Sequence, residues 1–128
     1  MSEIDEIEGY HAHVYWTSQE ERDRAALLRE ELGERFDVKL GRWHDKLVGP
    51  HPRSSYQVAF PEAEFQKVVP WLMLNRRGLT VLVHPLTGDA YADHSAFPVW
   101  LGESLDLDLS VLPRKYTENQ AAEIRGKD

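Results

Sequence analysis

Tyr10–Trp16 reads YHAHVYW, a run of aromatic and β-branched residues bounded by Gly9 on one side and Thr17-Ser18 on the other, which are the marks of a β-strand. Side chains alternate along a strand, so His11, His13 and Tyr15 fall on one face and Tyr10, Ala12, Val14 and Trp16 on the other. The two histidines then stand about 7 Å apart along the backbone. The small and apolar members of the second set suit packing beneath helices. That leaves His11 and His13 on the side the helices do not cover.

The segments outward from this strand supply the helices and its partners. Ser18 followed by Glu21 makes a capping box, Ala25, Leu28 and Leu32 share one helical face, and Gly33 stands where that helix would stop. Phe36, Val38 and Leu40 alternate with Asp37 and Lys39 as a second strand, which runs into the loop GRWHDKLVGPHP at 41–52. YQVAF at 56–60 is a third strand, closed by Pro61. Phe65, Val68, Val69, Leu72 and Met73 then take the spacing of a second helix, which Pro70 should kink or restart and Gly78 should end. LTVLVHP at 79–85 is the most β-prone segment, stopped by Pro85 and the turn residues Thr87-Gly88-Asp89. Leu105, Leu107 and Leu109 alternate with Asp106 and Asp108, the pattern of an added C-terminal strand with a charged side.

The order β-α-β-β-α-β predicts an α+β, ferredoxin-like sandwich with an antiparallel sheet and both helices on one face. In that arrangement the first and fourth strands are neighbours near the middle of the sheet, and the other face is open. The expected organisation is a flexible N-terminus at 1–9, one domain at 10–112 and a polar tail at 113–128.

Composition narrows the function classes. A chain of 128 residues with 41% hydrophobic content supports one core. The absence of cysteine rules out disulfides, thiolate metal sites and a cysteine nucleophile. With 22 acidic against 15 basic residues, net charge −7, the field opposes binding to nucleic acid. The longest apolar stretch, Val68 to Leu74, is far short of the roughly 20 residues of a membrane span, and the acidic start MSEIDEIEG is unlike a secretion signal. A cytoplasmic location without membrane contact is the expectation.

Six histidines are dense for this length: His11, His13, His44, His51, His84 and His94. His84, on the strand beside His11 and His13, should approach that pair, and three neutral ring nitrogens from two strands can converge on one cation with coordination positions left open. His-x-His on a strand also arises from half-buried, hydrogen-bonded histidines, so the motif alone is weakly specific. His51 lies between Pro50 and Pro52, which fix the direction of its ring. His94 follows Asp93 and has Asp89 nearby, the composition of a carboxylate-oriented imidazole or of a polar loop. His44 reads as a strand-end residue, and Arg42 as a surface charge. Arg76, with Asn75 and Arg77, sits at a helix C-terminus, where the helix dipole favours basic residues. Trp71 and Met73 suit the core, and Trp100 an anchor after the fourth strand.

These segments together carry a resemblance. YHAHVYW at 10–16, GPHP at 49–52, YQVAF at 56–60, WLMLNRRGLTVLVHPLTGD at 71–89, DH at 93–94 and WLG at 100–102 resemble the DOPA 4,5-dioxygenase family of small aromatic-ring-cleaving enzymes. The resemblance implies a ferredoxin-like domain, often paired as a homodimer, that holds non-haem Fe(II) and opens a catechol with O₂ beside its two hydroxyls. Extradiol chemistry of this kind needs about three protein ligands and open positions for both reactants. On this resemblance His11, His13 and His84 are the expected metal ligands, with a carboxylate in place of one left open. His51 and His94 are the expected acid–base pair. Arg42, His44, Tyr15 and Arg76 form the expected substrate-binding set, the arginines for a substrate carboxylate. The partners are a small aromatic substrate and O₂. Two other classes compete: a non-catalytic ferredoxin-like module for ligand binding or dimerisation, which predicts no tight metal, and a zinc hydrolase or isomerase on the same histidines, which the lack of a nearby carboxylate base disfavours.

Overall fold

The computed structural model describes residues 6–114. Strand β1 is Tyr10–Trp16, helix α1 Gln19–Arg35, β2 Lys39–His44, β3 Ser54–Phe60, helix α2 Glu62–Asn75, β4 Val81–Pro85, helix α3 Ala90–Ser95 and β5 Val99–Leu101. The five strands form one sheet in the order β2-β3-β1-β4-β5. β1 runs antiparallel to both β3 and β4 and occupies the centre. Among the described residues no helix is long and apolar enough to cross a membrane.

Period-two alternation along β1 separates two buried environments. Ala12, Val14 and Trp16 join Tyr56, Val58 and Phe60 of β3 and Val81 and Val83 of β4 in the main core, closed from above by Ala25, Leu28 and Leu32 of α1 and Val68, Val69 and Leu72 of α2. Both long helices therefore cover one face. The start of α1 follows from its first residues: the Ser18 hydroxyl accepts from the Glu21 amide at 3.1 Å, and the Glu21 carboxylate reaches back to the Thr17 amide at 2.7 Å. This is a capping box displaced by one residue on its return bond.

Several boundaries differ from the sequence expectation. Gly33 does not stop α1, which continues to Arg35 and ends where Phe36 turns extended. β2 extends through Arg42 and His44 across a bulge between Leu40 and Trp43, rather than ending before them. α2 passes through Pro70 as one helix, and Met73 lies at its surface, not in the core. β4 begins at Val81, with Leu79 and Thr80 leading into it. The extra strand is Val99–Leu101, paired to Val81–Val83. The alternating 105–109 segment pairs with no strand and ends in a 3-10 turn at Leu109–Val111. Asp108 instead caps that turn, accepting from the Ser110 amide at 3.2 Å and hydroxyl at 2.5 Å.

The face opposite the long helices is not open. His13, Tyr15, Leu82 and His84 on it are buried. The 48–53 loop, α3 and the 104–113 segment lie over it, and backbone bonds tie these covers together: Asp108 N–H donates to the Pro50 carbonyl at 2.9 Å, and Tyr91 N–H to the Pro113 carbonyl at 3.1 Å. The chain itself thus covers the face that the sequence reading left open. Before β1, Glu8 and Gly9 are held by two backbone bonds to Leu86. The polar tail, from residue 115 on, lies outside the described residues.

Candidate functional site

Strand pairing brings the first histidines together. His11 stands directly opposite His84 in the β1–β4 register, and His13 is two residues along on the same face. The Nε2 atoms of His13 and His84 are 3.0 Å apart. His11 packs edge-on against both, with ring centres 5.8 Å from His13 and 5.3 Å from His84. The covers add two more rings: His51, at 4.2 Å from His13, and His94, at 4.1 Å from His84. Five of the six histidines thus form one cluster. Its nitrogens define two possible metal-holding groups, His11–His13–His84 and His13–His51–His94, which share His13.

Hydrogen bonds at Nδ1 set which nitrogens face inward. His84 Nδ1–H donates to the carbonyl of Pro85 at 2.9 Å, and His94 Nδ1–H to the carbonyl of Ala90 at 2.7 Å. Each bond leaves Nε2 as a bare acceptor, the second-shell arrangement usual for metal-ligating histidine. His51 Nδ1 lies 2.7 Å from the hydroxyl of Tyr15, whose own ring stacks on Trp100 of β5.

Burial keeps the rings neutral. Desolvation is the leading cause that lowers the pKa of His51 to about 4 and of His84 to about 3. His13 falls well below its usual value for the same reason, with repulsion from the neighbouring rings added. His11 and His94 shift downward less, again chiefly through burial. At neutral pH the cluster is therefore a set of lone-pair donors without charge.

The residues present fit a divalent transition metal. Two imidazole nitrogens each about 2.1 Å from an ion and at right angles about it would be about 3.0 Å apart, which matches the His13–His84 spacing. An N–H···N bond from His13 to His84 has the same length in the absence of an ion. Both groups are histidine throughout, so among the described residues no carboxylate completes either one. An all-imidazole set suits iron and zinc alike.

The acids near His94 have other tasks. Asp93 is buried and accepts from the Thr87 amide at 3.1 Å and the Thr87 hydroxyl at 2.5 Å. Its pKa is raised by that burial. Asp89 accepts from the Ala92 amide at the start of α3. The sequence expectation of an imidazole oriented by a carboxylate is replaced by orientation through the Ala90 carbonyl. His94 itself lies on a short helix rather than in a loop.

The substrate-binding set divides. His44 lines a cleft of about 180 Å³ together with His13, His51, Ser55 and Gln57. Tyr15 is buried and reaches the site through His51. Arg42 is exposed on β2 and lines no part of that cleft. Arg76 donates to the carbonyls of Leu79 at 2.9 Å and Met73 at 3.0 Å, closing the end of α2 as the dipole reading suggested. Sequence reasoning missed Gln57 and Ser55. The alternation of Tyr56, Val58 and Phe60 into the core could have placed both on the histidine face.

A small α+β domain with a buried, uncharged cluster of histidines on the central strands of its sheet has the donor set to hold a nitrogen-ligated metal ion. The family model of the Dopa 4,5-dioxygenase family matches residues 10–111, and the chain belongs to that family. A DOPA 4,5-dioxygenase of Amanita muscaria is 36% identical over 122 residues, covering 88% of this chain and 53% of the fungal protein. An uncharacterized 21.2 kDa protein of Botryotinia fuckeliana is 34% identical over 118 residues, covering 82% of this chain and 63% of its own. The chain thus spans between about half and two thirds of the length of these relatives. The crystal structure of a candidate dioxygenase from Nostoc punctiforme is 58% identical, with a TM-score of 0.80, covering 82% of this chain and 90% of that one.

Proposed function

We propose that this chain is an Fe(II)-dependent extradiol dioxygenase that opens a catechol bearing a side chain. The observation that carries the reading is the convergence of His11, His13 and His84 from two central strands, with His13 and His84 Nε2 atoms 3.0 Å apart. Family membership supports the same chemistry. In this reading those three histidines hold the metal, and ferrous iron bound there supplies the place where the diol and O₂ meet. Three neutral ligands leave the charge of a divalent ion uncompensated, so the site favours an ionised diol.

His51 takes the diol proton in this scheme. Donation of its Nδ1–H to the Tyr15 oxygen leaves Nε2 as the acceptor, and the buried Tyr15 hydroxyl, whose pKa is raised by desolvation, stays neutral beside it. His94, fixed by the Ala90 carbonyl with its Nε2 bare, receives that proton from His51 and returns it as the ring opens. The reaction balances with one catechol and one O₂: the ring carbon–carbon bond next to the diol breaks, and both oxygen atoms enter a product with one new carboxylate and one new carbonyl.

Anaerobic loading with ferrous iron, then DOPA, caffeate or protocatechuate and air, should give a yellow ring-fission product that carries label from ¹⁸O₂. A metal-loaded protein that consumes no catechol in a broad panel would defeat the proposal. A protein that takes up no divalent metal would favour the non-catalytic binding module.

A further inference from the structure

Among the described residues two hollows adjoin the histidine cluster, and they share no residue. One is the polar cleft at His13 and His51. The other, of about 350 Å³, reaches His84 and is walled by Phe65, Phe97, Val83 and Val99. Val83, His84 and Pro85 are consecutive on β4, and all three line it. Side chains alternate along a strand, so no single face presents all three, and this hollow wraps around the edge of β4. Strand pairing explains the opening. β1 pairs with all five residues of β4, whereas β5 pairs only with Val81, Leu82 and Val83 and leaves the outer edge of His84 and Pro85 without a strand. Exposed Ile7 and Val99 also line the hollow, so it runs from the surface, past the point where β5 stops, to a histidine of the cluster.

The walls of this hollow are chiefly apolar, and its inner polar groups are already engaged. The Thr87 hydroxyl, on its lining, donates to the Asp93 carboxylate at 2.5 Å, and His84 Nδ1 is held by the Pro85 carbonyl at 2.9 Å. An ordered water needs about two to four polar partners, whereas an apolar cavity of about 150 Å³ stays dry and takes up xenon or benzene. Dioxygen has no dipole and no hydrogen bond to surrender, so its transfer from water to such a wall is favourable. A diol moved there would lose the hydration of both hydroxyls. We infer that this hollow is the holding site and entrance for dioxygen, which meets the cluster from the His84 side while the diol enters by the polar cleft at His13 and His51. The inference rests on the dioxygenase reading and adds a separate binding site for its second substrate. A diol seated in the polar cleft then leaves the approach of the gas unobstructed.

Metal-free crystals of the full chain pressurised with xenon, an apolar stand-in for dioxygen, should show the gas between Phe65, Val83 and Val99. Val99→Phe, on the edge strand, should fill the hollow and remove that peak. In the ferrous-loaded enzyme the same variant should raise KM for O₂ at least about threefold, with kcat at saturating O₂, KM for the diol and iron content unchanged. Phe65→Trp, which fills the same space from α2, should repeat the effect. Val111→Phe, an enlargement at an exposed position outside the hollow, should alter neither xenon uptake nor KM. A hollow that takes up no xenon, an unchanged KM for O₂ in both filling variants, or a rise in KM for the diol instead would overturn this inference and leave the dioxygenase reading standing. A ferrous-loaded wild type that consumes no O₂ with any catechol would overturn both.

Discussion

The two faces of β1 are equally buried and do opposite things. Toward the long helices, Ala12, Val14 and Trp16 meet side chains that need only shape, and dispersion and water release stabilise every contact. Toward the covers, His13 and Tyr15 sit among rings whose nitrogens each require a partner. One strand thus carries apolar core on its even-numbered residues and the candidate site on its odd-numbered ones. Damage to the first face should lower the amount of folded protein. Damage to the second should lower what each folded molecule can do.

The sharpest break of that division is His13→Ala. His13 belongs to both candidate metal-holding groups, so metal analysis should show occupancy near zero and ring cleavage should fall at least about a hundredfold, while the thermal midpoint of the metal-free protein moves little. The mirror experiment is Leu28→Ala on the helix face. Truncating this fully buried leucine should cost about 2–5 kcal/mol in denaturant titrations, with activity per bound metal preserved. Equal losses of activity in both variants would show that the faces are not separable.

Acid should also tell the faces apart. Because burial holds the folded pKa of His51 at about 4 and of His84 at about 3, against an ordinary 6.5, the unfolded chain binds more protons than the folded one between those limits. Stability of the metal-free protein is therefore full above pH 6.5 and is lost as pH falls through that window, by an amount on the order of a few kcal/mol. Asp93, whose pKa burial raises, opposes this with a single group. Urea midpoints that hold constant from pH 7 to pH 4 would contradict a buried neutral cluster.

Smaller effects sharpen the picture. Tyr15→Phe removes the 2.7 Å bond to His51 and should lower kcat by about tenfold, with KM and metal content held. Arg42→Ala should change stability by under about 0.5 kcal/mol and leave KM unaltered, as expected for an exposed side chain away from the cleft.

Much of this division was legible in the chain. The alternation of YHAHVYW, and of VLVHP across from it, places His11, His13 and His84 on one side of two strands, because period two is a local property of extended backbone. The positions of His51 and His94 relative to that trio were not legible as distances. They depend on how a loop and a helix of six residues fold over the sheet, and so short a helix has too little periodicity to announce itself. The leucine–aspartate alternation at 105–109 misled for a related reason. Alternation marks a strand only where a sheet edge is available to pair with it, and Val99–Leu101 already occupies the edge beside β4. Arg76 shows the reverse case: a local rule about helix ends described its role better than the substrate hypothesis did.

The bonds from Asp108 to Pro50 and from Tyr91 to Pro113 join segments that are far apart in the chain. Because they clasp both the loop that presents His51 and the helix that presents His94, a ribosome must have delivered residue 113 before either imidazole is locked over the sheet. The apolar half of the domain has all of its principal strands and helices by Pro85, so a nascent chain can acquire a firm core well before it acquires a finished histidine cluster. Completion of the histidine cluster is then a late event in folding, and a product cut short near Gly102 would be a folded protein with a loosened site.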